Sequence, residues 1–97
     1  AAAWKVAPAL ACGCSVLLKP ASYTPITSLM LANIIQEVDL PRGVLNVLPG
    51  SGSEIGMDIA AHPLIKKIAF TGDGQTGATI VKAAANDIKR VSLELGG

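Results

Sequence analysis

Four short apolar runs, Val16-Leu17-Leu18-Lys19, Val44-Leu45-Asn46-Val47-Leu48, Lys67-Ile68-Ala69-Phe70-Thr71 and Arg90-Val91-Ser92-Leu93-Glu94-Leu95, are each closed by proline or glycine and separated by stretches of helical period. Runs this apolar and this short read as strands buried on both faces. The stretch from Pro25 to Val38 has Ile26, Met30, Ile34 and Val38 at every fourth position with Leu31 and Ile35 beside them, and Thr24-Pro25 supplies an N-cap and a preset first turn. Ser53 to Ala61 predicts a short helix stopped by Pro63, about Gln75 to Asn86 another, and Ala1 to Lys5 reads as the middle of a helix. Strand and helix alternating through four strands requires crossover connections. The expected class is therefore α/β: a doubly wound, Rossmann-like parallel sheet with helices on its faces.

Composition sharpens this. Of 97 residues, 51% are hydrophobic, 15% are charged and ten are glycine. A chain this size buries only about 60–65% of its unfolded surface and should carry more charge if it stands alone, so the expectation is a fragment of a larger subunit. The net charge of +1 gives no reason to expect nucleic acid as a partner. The basic pairs Lys66-Lys67 and Lys89-Arg90 read as solvated strand edges. The longest uncharged stretch, Val6 to Leu18, is 13 residues, short of the roughly 20 a bilayer span needs, so no membrane is expected. No signal peptide is visible. Cys12 and Cys14 lack the partners of a zinc site, so no metal is expected, and they read as two buried thiols in a reducing, cytoplasmic setting. Trp4 reads as packing and His62 as a helix-terminal histidine without a partner.

In open parallel sheets ligands bind beyond the carboxyl ends of the strands, so function should lie after Lys19, Leu48, Thr71 and Leu95. Gly72-Asp73-Gly74-Gln75-Thr76-Gly77 is a Gly-x-Gly-x-x-Gly sequence that follows a predicted strand and opens a predicted helix. Such a loop lets backbone amides and the helix N-terminus approach a pyrophosphate. Glu94 lies 17 residues beyond Gly77. That spacing suits the acid that holds a ribose hydroxyl, whereas a carboxylate on an apolar strand, followed by Gly96-Gly97, has a raised pKa and suits a general base. Spacing alone leaves both roles open.

A wider set of motifs runs through the chain in order: Trp4-Lys5-Val6-Ala7-Pro8-Ala9-Leu10, Leu18-Lys19-Pro20-Ala21 with Thr24-Pro25, Leu40-Pro41-x-Gly43-Val44-Leu45-Asn46-Val47 with Pro49-Gly50, His62-Pro63, Ile68-Ala69-Phe70-Thr71-Gly72 and Leu93-Glu94-Leu95-Gly96-Gly97. Together they resemble the aldehyde dehydrogenase superfamily. The resemblance implies that residues 1–97 are part of the NAD(P)-binding domain of an oxidoreductase. The catalytic and oligomerisation segments are absent, and the full-length protein is expected to be a homo-oligomer. It makes Glu94 the general base rather than the ribose acid. In that chemistry a cysteine thiolate attacks the aldehyde, hydride passes to nicotinamide, and a Glu-activated water hydrolyses the thioester to a carboxylic acid. The nucleophilic cysteine would lie beyond Gly97, neither Cys12 nor Cys14 matches it, and the isolated chain is expected to be inactive.

The resemblance also implies that Lys19 reaches the adenosine ribose of NAD or NADP, that Gly50 lies against adenine, and that Gly72, Asp73, Gly77 and Leu95 join the coenzyme-binding positions. Two departures matter. Ser22 stands where NAD-preferring members usually carry Glu, which removes repulsion toward a 2′-phosphate and leans the reading toward NADP. Asp73 stands in place of a serine beside the phosphates, and capping of the following helix is the expected use of its carboxylate. The alternatives are a non-catalytic dinucleotide-binding or structural relative and a coenzyme-A-acylating semialdehyde dehydrogenase, which Glu94 disfavours.

Overall fold

The computed structural model describes residues 1–96. The order of elements is α1 (Ala2–Ala11), β1 (Val16–Leu18), α2 (Ile26–Glu37), β2 (Leu45–Val47), α3 (Met57–Ala61), β3 (Lys67–Gly72), α4 (Gly74–Ala84) and β4 (Arg90–Leu95). A π-helical turn, Gly52–Gly56, leads into α3, and a 3-10 turn, Ala85–Asp87, follows α4. The chain divides into two compact units, Ala1–Gly52 and Ser53–Gly97. The expected alternation is present, with every strand within two residues of its expected bounds.

In the first unit β1 and β2 pair in parallel, Val16 opposite Leu45 and Leu18 opposite Val47. The ladder is extended by Val16 N–H donating to the Val44 carbonyl (2.7 Å) and Leu48 N–H to that of Leu18 (2.9 Å). Parallel neighbours cannot be joined by a hairpin, and α2 is the crossover. Its inward face is set by Ser28, only 9% exposed, with the half-buried Leu31, Ala32 and Ile35. These follow the i, i+3, i+4, i+7 pattern of a helix face. The stripe Ile26, Met30, Ile34 is exposed instead, and Val38 lies beyond the helix in extended backbone. A helix turns about 100° per residue, so that stripe is centred roughly 150° from the Ser28, Leu31, Ala32 and Ile35 face and lies outside it. Thr24 does not cap α2: Pro25 is the N-cap residue, itself in helical conformation, and no side chain completes the cap. On α1, Val6 is buried while Trp4 is 86% exposed, so Trp4 is not a packing residue within this unit.

In the second unit β3 and β4 pair in parallel over six positions, from Lys67 opposite Arg90 to Gly72 opposite Leu95. Helix α4 crosses between them. Strand alternation puts Ile68, Phe70 and Gly72 with Val91, Leu93 and Leu95 on one face, and Ala69 and Thr71 with Ser92 and Glu94 on the other. The first face takes α4: a Cβ built on Gly77 would lie 3.0 Å from Leu95 Cδ2 and 3.7 Å from Leu93 Cδ1. Ala60, Ile80 and Ala84 are buried where α3, α4 and the strands pack. The small side chains of Ala60 and Ala84 there let the backbones approach closely.

Lys89 departs from its expected place at a solvated edge. Its side chain is 1% exposed, and the ammonium donates to the His62 carbonyl (2.7 Å) and to Asp87 Oδ2 (2.9 Å). The Lys89 ammonium in turn holds the Asp87 carboxyl below the usual aspartate range by hydrogen bond and charge. His62 is not without partners: besides that carbonyl, its Nδ1 accepts from the Leu64 amide at 3.2 Å. One buried lysine thus ties the end of α3 to the entry of β4.

Candidate functional site

In the first unit, three residues assigned to the coenzyme meet at the carboxyl ends of the strands. Lys19 directly follows β1, where Pro20 stops the strand, and Gly50 closes the Pro49-Gly50 corner after β2. The Lys19 ammonium donates to the Pro20 carbonyl (2.9 Å) and to the Gly50 carbonyl (3.2 Å). Ser22 lies in a turn closed by Thr24 N–H donating to the Ala21 carbonyl (3.1 Å), and its hydroxyl donates to the same Gly50 oxygen at 3.5 Å. An ammonium has three donors, so two held by carbonyls orient the third. The result is a cation beside a hydroxyl at a strand-end corner.

In the second unit, β3 runs directly into α4 through Asp73. Asp73 is the N-cap: Oδ1 accepts from the Thr76 amide (2.9 Å) and Oδ2 from the Thr76 hydroxyl (2.7 Å). Hydrogen bonds from the Thr76 amide first, then from the Thr76 hydroxyl, hold this carboxyl below the usual aspartate range. The expected capping is therefore present. It also takes up the Thr76 amide. The backbone at Gly74 stays open, since a Cβ built there meets nothing within 4 Å. The glycines divide their work. At Gly72 the Phe70 ring occupies the place of a Cβ, and Gly77 is a helix-to-strand packing residue against Leu95. That contact places Leu95 in the packing of the second unit, with Gly72 opposite it in register.

Glu94 stands opposite Thr71, near the carboxyl end of β4. It is exposed, because the alternation that sends Leu93 and Leu95 toward α4 sends Glu94 to the other face. The apolar setting expected from its sequence neighbours is thus not supplied by the second unit. Gly97 lies outside the described residues. Cys12 and Cys14 are both free and both exposed, not buried, because they sit at the turn that ends α1 rather than on its Val6 face. Among the described residues no cluster of three or more His, Cys, Asp or Glu could hold a metal ion, and no helix is long and apolar enough to cross a membrane.

The aldehyde dehydrogenase family model matches residues 1–97. The chain belongs to the aldehyde dehydrogenase family. It is 56% identical over 96 residues to the peroxisomal aminoaldehyde dehydrogenase 2 of Malus domestica. It is 55% identical to the betaine aldehyde dehydrogenase of Hordeum vulgare and 54% to retinaldehyde dehydrogenase 3 of Rattus norvegicus. These alignments take in 98–99% of the chain and 19% of each relative. Among solved structures, betaine aldehyde dehydrogenase from Staphylococcus aureus in complex with NAD+ superimposes with a TM-score of 0.96 at 44% identity, over 99% of this chain and 19% of that one. PnpE in complex with nicotinamide adenine dinucleotide gives 0.94 at 46% identity, covering 97% and 19%. This aldehyde dehydrogenase segment therefore spans about a fifth of the relatives it matches.

Two features of the segment escaped its sequence. The buried Lys89 looked like any strand-end lysine, and only the position of the His62 carbonyl distinguishes it. Gly77, expected among the coenzyme-binding positions, also makes a close helix-to-strand contact, which its spacing from Gly72 equally suits.

Proposed function

We propose that residues 1–97 form part of the NAD(P)-binding domain of an aldehyde dehydrogenase that oxidises an aldehyde to a carboxylic acid. The observation that carries this reading is the Lys19–Ser22–Gly50 cluster in a family member that superimposes on an NAD+ complex. The donor set fits the adenosine end of the coenzyme: Lys19 and Ser22 bind ribose hydroxyls, and the Gly50 corner lies against adenine. The fit at α4 is narrower. The Gly74 amide and the positive end of the helix face the phosphates, while Asp73 is turned onto Thr76. Bound NAD+ or NADP+ supplies the hydride acceptor.

Glu94 is proposed as the general base, its carboxylate oxygen taking a proton from the water that hydrolyses the thioester. A positioned base of this kind contributes about 10²- to 10⁴-fold to a rate. Ser22 supports use of NADP alongside NAD, because a neutral hydroxyl does not repel a 2′-phosphate. The full-length protein is proposed to be a homo-oligomer, which the exposed Ile26, Met30 and Ile34 support. The cytoplasm is the proposed location, while relatives include peroxisomal and chloroplastic forms.

Coenzyme titration of the full-length enzyme tests this reading. Lys19→Met is expected to weaken NAD and NADP binding alike, and Ser22→Glu to weaken NADP alone, each about tenfold or more. Unchanged dissociation constants in both variants would remove the assignment.

A further inference from the structure

The two thiols at the end of α1 have no part in the proposed reaction, and the backbone around them is held by three hydrogen bonds. Cys12 N–H donates to the Pro8 carbonyl (3.0 Å), Gly13 N–H to that of Leu10 (3.0 Å) and Cys14 N–H to that of Ala9 (2.9 Å). Gly13 sits at φ +79° with nothing within 4 Å of a built Cβ. This is a helix end closed by a left-handed glycine, with one cysteine on each side of it. Both cysteines are free and exposed. Two residues fully extended span about 7 Å, so the one-residue spacing by itself keeps the two Cα atoms close to the range of about 4.4–6.8 Å that a disulfide requires.

We propose that Cys12-Gly13-Cys14 is a dithiol redox site that closes to an intramolecular disulfide by exchange with a low-molecular-weight disulfide such as glutathione disulfide. One cysteine thiolate attacks a sulfur of glutathione disulfide, forming a mixed disulfide and releasing one glutathione thiolate. The second cysteine thiolate then attacks the protein sulfur of that mixed disulfide, forming the Cys12–Cys14 bond and releasing the second glutathione. The two protein thiols lose two electrons and two protons, and glutathione disulfide gains them. The turn that carries both thiols is held by three backbone hydrogen bonds. A ring this small is strained, and strained disulfides are the readily reduced ones, so the site opens again as glutathione returns to its reduced form. The proposal is independent of the coenzyme and base assignments.

The test uses the full-length protein equilibrated in glutathione buffers of increasing oxidation, quenched with acid and alkylated. The tryptic peptide from Val6 to Arg42 carries both cysteines, since Lys19 precedes Pro20. The expected result is a peptide that has lost two hydrogens and become the major form in the most oxidised buffer, reverting fully on return to reduced glutathione. In Cys14→Ser the second step is blocked, and a glutathione adduct on Cys12 is expected to accumulate instead. Glutathione adducts on both cysteines of the natural protein without ring closure, or both thiols remaining alkylatable throughout, would overturn the proposal.

Discussion

Asp73 shows how one departure from a family pattern can be absorbed locally. A carboxylate at the head of a helix meets unpaired amides and the positive end of the helix dipole, and here it takes the Thr76 amide and hydroxyl together. Asp73→Ala in the full-length enzyme is expected to speed exchange of the Thr76 amide several-fold to about tenfold, with Asp73→Ser intermediate. Unchanged exchange in the alanine variant would show that the cap is idle. The folded carboxyl titrates below its ordinary value of 3.8, so the cap's contribution is complete above that value and is lost as pH falls through the lower, folded one. Thr76 protection should accordingly be flat from neutral pH down to about 4 and decline below it. The same residue marks a limit of sequence reading. The N-cap was legible from Asp73 preceding a helical run, but the pairing of its carboxylate with both the Thr76 amide and the Thr76 hydroxyl was visible only in the hydrogen bonds.

Helix α4 and strand β4 meet through glycine, and the turn between them is strained. Gly77 has room for no larger residue without displacing Leu95, so Gly77→Val is expected to cost about 1–3 kcal/mol by overpacking. Denaturant melts of the full-length enzyme would read this as a lowered first transition. Ile88 adopts the left-handed conformation, φ 52°, although it is β-branched and 90% exposed. The turn is imposed by Ile88 N–H donating to the Ala85 carbonyl (3.3 Å) and Lys89 N–H to that of Ala84 (3.1 Å), with the Lys89 side chain anchored below. Left-handed backbone costs an L-residue roughly 1–2 kcal/mol, so Ile88→Gly should stabilise by about 1 kcal/mol. A lower midpoint for that variant would contradict the strain. The strands and helices were legible because apolar runs and helical period survive in sequence. The buried side of α2 was not, since both sides of the helix carry apolar residues and the repeat at every fourth residue marks a stripe roughly 150° around the helix from the true 28, 31, 32, 35 face.

At the scale of the whole chain, the motif order and the match over residues 1–97 agree, and two parallel strand pairs with helical crossovers realise the expected class. The apolar excess in the composition appears as exposed Trp4, Ile26, Met30, Leu64 and Ile88, consistent with a segment covering 19% of its relatives. The residues of the first unit proposed to hold the coenzyme were singled out by their motifs, and the structure adds that Lys19 and Ser22 share the Gly50 carbonyl. Glu94 was legible as a chemically unusual residue, whereas its exposed face followed only from the strand register. Its role is the central claim, and pre-steady-state kinetics of the full-length enzyme test it most directly. In Glu94→Gln, a burst of NAD(P)H near one equivalent per active subunit should persist while steady-state turnover falls about 10²-fold or more, because hydride transfer proceeds and hydrolysis stalls. Turnover equal to that of the natural enzyme would contradict it.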